Sequence, residues 1–320
     1  NSEQAKGQLT IENDSKLPIK ATFDYIVADL PKSEKKTKLD IKQVQQWPSL
    51  DLSINRLTIN KKFYGLVKLK TSLLEHGVQI DQLVIDNLLY GLTINGSWQT
   101  QGADTASQFK GEFSSQDFGN FLAVSKITSS LKAKKADAAF DLSWPGSPLD
   151  YDLKTMTGTA KISVDDGVIP MGGNSVQMGL GKVLSAFSAQ SIERRLKLDF
   201  SDIDESGYSF NTMESNVALA EGDAQFSKGE FDGPQAKITF DGGVGITAKD
   251  YDINLVVTPY ITSTLPIIAT LIGGPIAGAA TYAVDKIASK GIDQLTSYRY
   301  LLNGTWADPK LLNLDAKSDE

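Results

Sequence analysis

Residues 77–94, GVQIDQLVIDNLLYGLTI, decide the fold. Val78 and Ile80, Leu83 and Ile85, then Leu92 and Ile94 repeat at two-residue spacing, the period of a strand with one buried face. Asp86-Asn87 interrupts the run with turn chemistry. A helix would need its apolar residues three and four apart, so the stretch reads as successive antiparallel strands. The same period extends outward through Leu50, Leu52, Ile54, Leu57, Ile59, Val67 and Leu69 on one side, and Phe109 and Phe113 on the other. Asn60-Lys61-Lys62 and Glu75-His76-Gly77 supply further turns. The change of parity between Ile54 and Leu57 predicts a β-bulge at Asn55-Arg56 that bends the sheet.

Beyond this region, residues 7–28 alternate through Leu9, Ile11, Ile19, Ala21, Phe23 and Tyr25. The lysine-rich run 31–46 reads as a solvated loop rather than a basic patch. Phe118, Phe121, Leu122, Ile127 and Leu131 follow helical spacing, predicting a short helix near 115–131 capped by Ser114 or Ser115. Strands are expected at 139–144, 158–164, 196–200, 208–210, 216–219, 222–226, 236–240 and 251–257. Residues 174–196 carry an apolar stripe (Val176, Leu180, Val183, Phe187, Ile192) and form an amphipathic helix that caps or plugs the sheet. Residues 258–284 contain no charge. Their length suits a bilayer span, but Pro266 and Gly273-Gly274-Pro275 break it into two short helical pieces within 261–295. Ile267, Ile268, Leu271 and Ile272 are then candidates for membrane contact, with an internal cap as the competing reading.

The fold expected is mainly β: a long curved antiparallel sheet forming an open, taco-like apolar groove, with a few amphipathic or apolar helices towards the C-terminus. Two segments divide it, 1–172 and a continuation over 173–320. The 320 residues suffice for a sizeable core, and 41% hydrophobic against 22% charged is a globular composition. A net charge of -7 argues against nucleic acid, which needs a concentrated Lys/Arg face. With no cysteine, disulfides and thiolate sites are excluded, and the single histidine, His76, leaves no imidazole cluster for zinc. No metal and no cofactor is expected. The chain begins at Asn1 without a leader-like apolar segment and reads as a mature or excised segment.

No motif assembles a catalytic site. GVGITA (243–248) loosely imitates a dinucleotide fingerprint but leads into another strand rather than a helix. Asp202, Asp204 and Ser206 imitate half a calcium loop whose twelfth position is Met213 instead of Glu. Asp165-Asp166-Gly167 reads as a hairpin turn. The chain is therefore not expected to be an enzyme; an envelope glycosidase is a distant alternative, since nothing singles out a carboxylate pair. The information lies in strands with one uniformly aliphatic face. Such a face must close on itself, dimerise, or hold something apolar. FKGEF (109–113), FSKGEF (226–231) and the strand-ending Trp98, Trp144 and Trp306 echo one another, as if one supersecondary unit were reused.

FDLSWPGSP (140–148), Arg194-Arg195 ahead of Leu198-Asp199-Phe200, Gly273-Gly274-Pro275 and the closing Gly304 to Pro309 (GTWADP) occur in an order and spacing that resembles the C-terminal region of YhdP-type AsmA-like bacterial envelope proteins. The resemblance implies a β-rich trough in the periplasm of Gram-negative bacteria, the outer-membrane-proximal part of an inner-membrane-anchored protein. Its implied cargo is phospholipid, and its partners the inner leaflet of the outer membrane and an unidentified envelope protein. On that reading Leu50, Leu52, Ile54, Leu57, Ile59, Val67, Leu69, Ile80, Leu83, Ile85, Ile94, Phe109 and Phe113 form most of one groove wall. The alternative is an envelope scaffold that handles outer-membrane proteins by strand addition at an open sheet edge.

Overall fold

A computed structural model of the protein describes residues 4–11, 17–29, 40–101, 104–126, 131–169, 208–234, 236–260 and 297–315. Alternating segments become strands β1 (Ala5–Thr10), β2 (Ile19–Ala28), β3 (Leu50–Ile59), β4 (Lys62–Leu74), β5 (Gly77–Asp86), β6 (Gly91–Gln101), β7 (Asp104–Ser115) and β8 (Lys132–Pro145). They continue as β9 (Thr157–Ile169), β10 (Tyr208–Ala220), β11 (Asp223–Asp232), β12 (Ala236–Gly245), β13 (Asp250–Pro259), β14 (Tyr298–Thr305) and β15 (Pro309–Asn313). Among the described residues the helices are α1 (Ile41–Val44) and α2 (Phe118–Val124). The strands hydrogen-bond in chain order as one 15-stranded sheet, with β1 and β15 at its edges, so the sheet is not closed into a barrel. By contacts the chain divides into two compact units: Asn1–Phe121 with Lys135–Ile162 and Val217–Gly222, and Leu122–Lys134 with Ser163–Asn216 and Asp223–Glu320.

Short reversals make neighbouring strands antiparallel. Asn60 and Lys61 both take positive φ (49° and 65°) between the paired residues Ile59 and Lys62, the two-residue turn whose twist suits a hairpin. In contrast, β2 and β3 pair in parallel, Ile19 beside Leu50 and Ala28 beside Ile59. The connection between them is long enough to return the chain to its starting end. It contains α1, capped by Asp40, whose carboxylate accepts from the Lys42 backbone N–H at 2.9 Å. The end of the lysine-rich run is thus a helical turn rather than loop.

The bulge expected at Asn55-Arg56 is present as a register shift between Ile54 and Leu57, and a second shift separates Ile80 from Leu83. Each adds local twist and bend. Other expectations are corrected. The helix after β7 is shorter, 118–124 within the described residues, and Asp117 rather than Ser114 or Ser115 caps it, accepting from the Asn120 N–H at 3.4 Å. The buried Ser115 hydroxyl donates to Leu89 O at 2.7 Å and accepts from the Asp117 N–H at 3.3 Å, just ahead of the helix. Asp165-Asp166-Gly167 is no hairpin turn but lies inside β9, with Asp166 at φ 51° and its carboxylate 3.2 Å from Lys134. Segments 208–210 and 216–219 are one strand, because backbone pairing carries β10 through its polar centre. The boundary at 172/173, the strand at 196–200 and the helices at 174–196 and 261–295 lie outside the described residues.

Candidate functional site: an apolar sheet face

Residues directly opposite each other in a ladder share a face, so register converts the two-residue period into rows running across the strands. One row in the first unit is Phe23, Ile54, Val67, Ile85, Leu92, Phe113 and Ala138. The next is Ala21, Leu52, Leu69, Leu83, Ile94, Gly111 and Phe140. A third contains Thr71, Ile80, Gly96, Phe109 and Leu142, and a fourth Leu73, Val78, Trp98, Ser107 and Trp144. Leu50 stands beside Ile19, Leu57 opposite Gly65, and Ile59 beside Ala28. Both bulges preserve the face: Leu57 and Leu83 resume on the side that Ile54 and Ile80 left. The residues expected to form a groove wall are therefore brought onto one face. Ile54, Val67 and Phe109 are buried, and the others are half-buried.

The opposite face is polar and paired. Lys70 meets Asp51 at 3.5 Å, and Lys110 meets Asp141 at 3.0 Å. The hydrogen bond from Lys110 holds the Asp141 carboxyl below its ordinary range, helped by Gln108. Exposed ion pairs of this kind add little stability, but they fix which face meets water.

Two features bound the apolar face along the strands. Near the end that carries the β5–β6 and β7–β8 connections, Phe118 and Phe121 of α2 close over Phe113 and Tyr90, with ring centroids 4.9 Å apart for Phe113–Phe121 and 5.1 Å for Tyr90–Phe121. Burial pushes the Tyr90 hydroxyl above its ordinary range. The loop beneath is held by Asn87, which accepts from the Leu89 and Tyr90 N–H groups at 2.9 and 3.2 Å and donates to Tyr64 O at 3.1 Å. At the other end α1 packs against β5 and β6, with Ile41 buried and Gln45 donating to Glu75 O at 3.2 Å.

In the second unit the same pattern recurs: Phe231, Ile238, Val257 and Tyr298 form one row, Gly229, Phe240, Leu255 and Tyr300 another, and Phe226, Gly242, Ile253, Leu302 and Leu311 a third. Here the face is more deeply covered, with Ile238, Ile253 and Leu302 between 1% and 4% exposed. These residues, together with Leu92, Trp98, Phe140 and Leu142, escaped the sequence reading of the wall. Their two-residue period was the available signal. The FKGEF and FSKGEF echo also acquires a cause. Gly111 lies under the Phe140 ring and Gly229 under the Phe240 ring, where a Cβ on either glycine would collide with the aromatic carbons.

Ile267, Ile268, Leu271 and Ile272 lie outside the described residues. Among the described residues, no cluster of His, Cys, Asp or Glu could hold a metal, and no helix is long and apolar enough to cross a membrane.

The arrangement is one aliphatic face carried from strand to strand. No solved structure matches the chain. The intermembrane phospholipid transporter YhdP of Escherichia coli (strain K12) is 23% identical over 266 residues, which cover 83% of this chain and 21% of that protein. The chain thus spans about a fifth of that relative's length. The profile of the YhdP protein family matches residues 1–311, and the chain belongs to that family.

Proposed function

We propose that this chain is a periplasmic segment of a bridge-like phospholipid transporter, and that its apolar sheet face shields acyl chains between the inner and outer membranes. The observation that carries the reading is the continuity of the rows from β2 to β8, in which half-buried Leu, Ile and Phe side chains adjoin one another without an intervening charge. Exposing a lipid tail to water costs about 0.8 kcal/mol per CH₂, so a crossing needs a lining of this kind, while headgroups remain in solvent. The name of the E. coli relative, an intermembrane phospholipid transporter, supports the same cargo. No step in such shielding calls for a catalytic residue.

The test is a photo-crosslinker placed at Leu83, Ile85 or Asp86, with lipids identified in an organic extract of the purified chain. Leu83 and Ile85 are expected to capture phospholipid and Asp86 not. Equal labelling at all three sites, or an extract free of lipid, overturns the reading. An empty extract would leave strand addition at the edges β1 and β15 as the better account. Membrane contact by Ile267, Ile268, Leu271 and Ile272 belongs to the same proposal. Ile268→Asp and Leu271→Asp variants should lose liposome flotation that the unaltered chain shows, and equal flotation refutes it.

A further inference from the structure

Exposed apolar side chains gather along one end of the strands of the first unit, the end where α1 packs. Register defines that end. β2 begins beside the start of β3, Leu74 of β4 stands opposite Gly77, Gln101 of β6 opposite Asp104, and Ala106 of β7 opposite Pro145, the last residue of β8. The connections there carry Leu17, Trp47, Leu149, Tyr151 and Leu153, which are between 49% and 65% exposed. Large apolar residues facing water are ordinary when scattered singly, whereas a group of them at one place marks a surface that meets a partner.

Leu149, Tyr151 and Leu153 occupy alternate positions of the β8–β9 connection, and that connection is held from within. The Ser147 N–H and hydroxyl both donate to Asp150 Oδ2, at 3.0 and 2.7 Å, and the Leu149 N–H donates to the Ser147 hydroxyl oxygen at 3.3 Å. The Asp150 N–H donates to Ser147 O at 2.9 Å, and the Thr155 and Met156 N–H groups donate to Asp152 O at 3.0 and 2.9 Å. The Lys154 N–H donates to Asp152 Oδ1 at 3.0 Å. At its base the Gly146 N–H donates to Thr105 O at 2.7 Å, and Ser147 and Met156 are buried. With these donors satisfied, and Pro148 having none, the backbone can leave water at small cost while the three large side chains are already ordered and exposed.

We propose that this end of the first unit docks on a lipid bilayer with net neutral headgroups, Leu149, Tyr151 and Leu153 entering the boundary between headgroups and acyl chains. Leucines beside a tyrosine and a tryptophan suit that boundary, where aromatic rings with one polar edge settle. A protein partner would draw on unsatisfied backbone groups or on charge pairs, and the loop offers few of the first. Its charges decide the headgroup. Asp104, Asp150 and Asp152 stand within or beside the loop against Lys154, so no basic cluster draws anionic lipid to it. This docking does not depend on lipid carriage by the sheet face, and it is separate from the contact proposed for Ile267, Ile268, Leu271 and Ile272.

The experiment uses the whole chain with phosphatidylcholine vesicles. The chain has no cysteine, so one introduced thiol carries a single nitroxide. The label is placed at Leu153→Cys and, as a control on the polar sheet face, at Glu112→Cys. With vesicles, the label at 153 is expected to lose most of its collisions with a water-soluble nickel chelate and to gain collisions with oxygen, while the label at 112 keeps both. Leu149→Asp and Tyr151→Asp, at exposed positions and checked for folding by circular dichroism, should each weaken vesicle binding about ten-fold. Replacing half of the lipid by phosphatidylglycerol should weaken it about five-fold, the effect of one net charge near a charged leaflet. Flotation with the label at 153 still open to the chelate overturns the inference and assigns membrane contact to another segment. A chain that neither floats nor shields the label overturns it in favour of a protein partner at this end. Equal or stronger binding to the phosphatidylglycerol vesicles refutes the assignment of neutral headgroups.

Discussion

At Gly111 a Cβ would come within 2.5 Å of Thr93 O and 2.6 Å of the Phe140 Cζ, so the glycine is required by what lies above it rather than by its own backbone. Gly111→Val should destabilise the chain by about 1–3 kcal/mol, seen as a lower urea midpoint at unchanged slope, because the ring must leave its row. A loss under about 0.5 kcal/mol would show that Phe140 moves aside freely. Tyr260 provides a residue whose titration reports its partner. Its hydroxyl hydrogen-bonds the Asp232 carboxylate, and that bond, more than burial, pushes its pKa up to about 12. Because the folded value lies above the unfolded value of about 10, the associated stability is present below pH 10 and is lost as the pH rises through the folded value. Ultraviolet titration should show late-ionising tyrosines, Tyr90, Tyr298 and Tyr300 also being raised by burial, of which one moves down towards 10 in Asp232→Asn. A titration unchanged by that substitution would mean that the bond is not formed in solution.

At the scale of the strand, β5 allows a direct test of faces. Leu83 stands between Leu69 and Ile94 on the apolar side, while Val84 stands between Lys68 and Thr93 on the polar side. Leu83→Asp is expected to cost about 2 kcal/mol or more and to abolish lipid capture, whereas Val84→Asp should cost under about 1 kcal/mol and keep it. Similar losses in both variants would refute the division into faces. The β5–β6 loop rests on Asn87, whose side chain makes three hydrogen bonds to the backbone of Leu89, Tyr90 and Tyr64. Asn87→Ala should therefore cost about 1–2 kcal/mol and speed amide exchange at Leu89 and Tyr90. Strands were the legible elements, because a half-buried pleated surface writes its period directly into the residue types. The α2 cap was not legible: two serines and an aspartate all suit the position, and only the helix start at Phe118 puts Asp117 where its carboxylate meets the Asn120 N–H.

For the whole molecule, the proposed function requires that cargo on an apolar face half-buried over much of the first unit add stability. Phospholipid bound to the folded chain alone should raise Tm by mass action, with delipidated chain melting several degrees below loaded chain and binding more of an apolar fluorophore. Identical melting would mean that the face is satisfied without cargo. The sequence by itself determined the strand class, the turns at Asn60-Lys61 and Glu75-His76, the bulge at Asn55-Arg56 and the alternation that separates one face from the other, since all of these rest on spacing between near neighbours. It also carried, in scattered motifs, the resemblance that the family profile bears out. Only the tertiary structure decided that β2 and β3 run parallel, that β10 is one strand, that Phe140 and Phe240 cover glycines in neighbouring strands, and that Trp98 is buried without an acceptor. Each of these depends on which residues distant in the chain are brought opposite one another, and a two-residue period is the same whichever partner a strand takes.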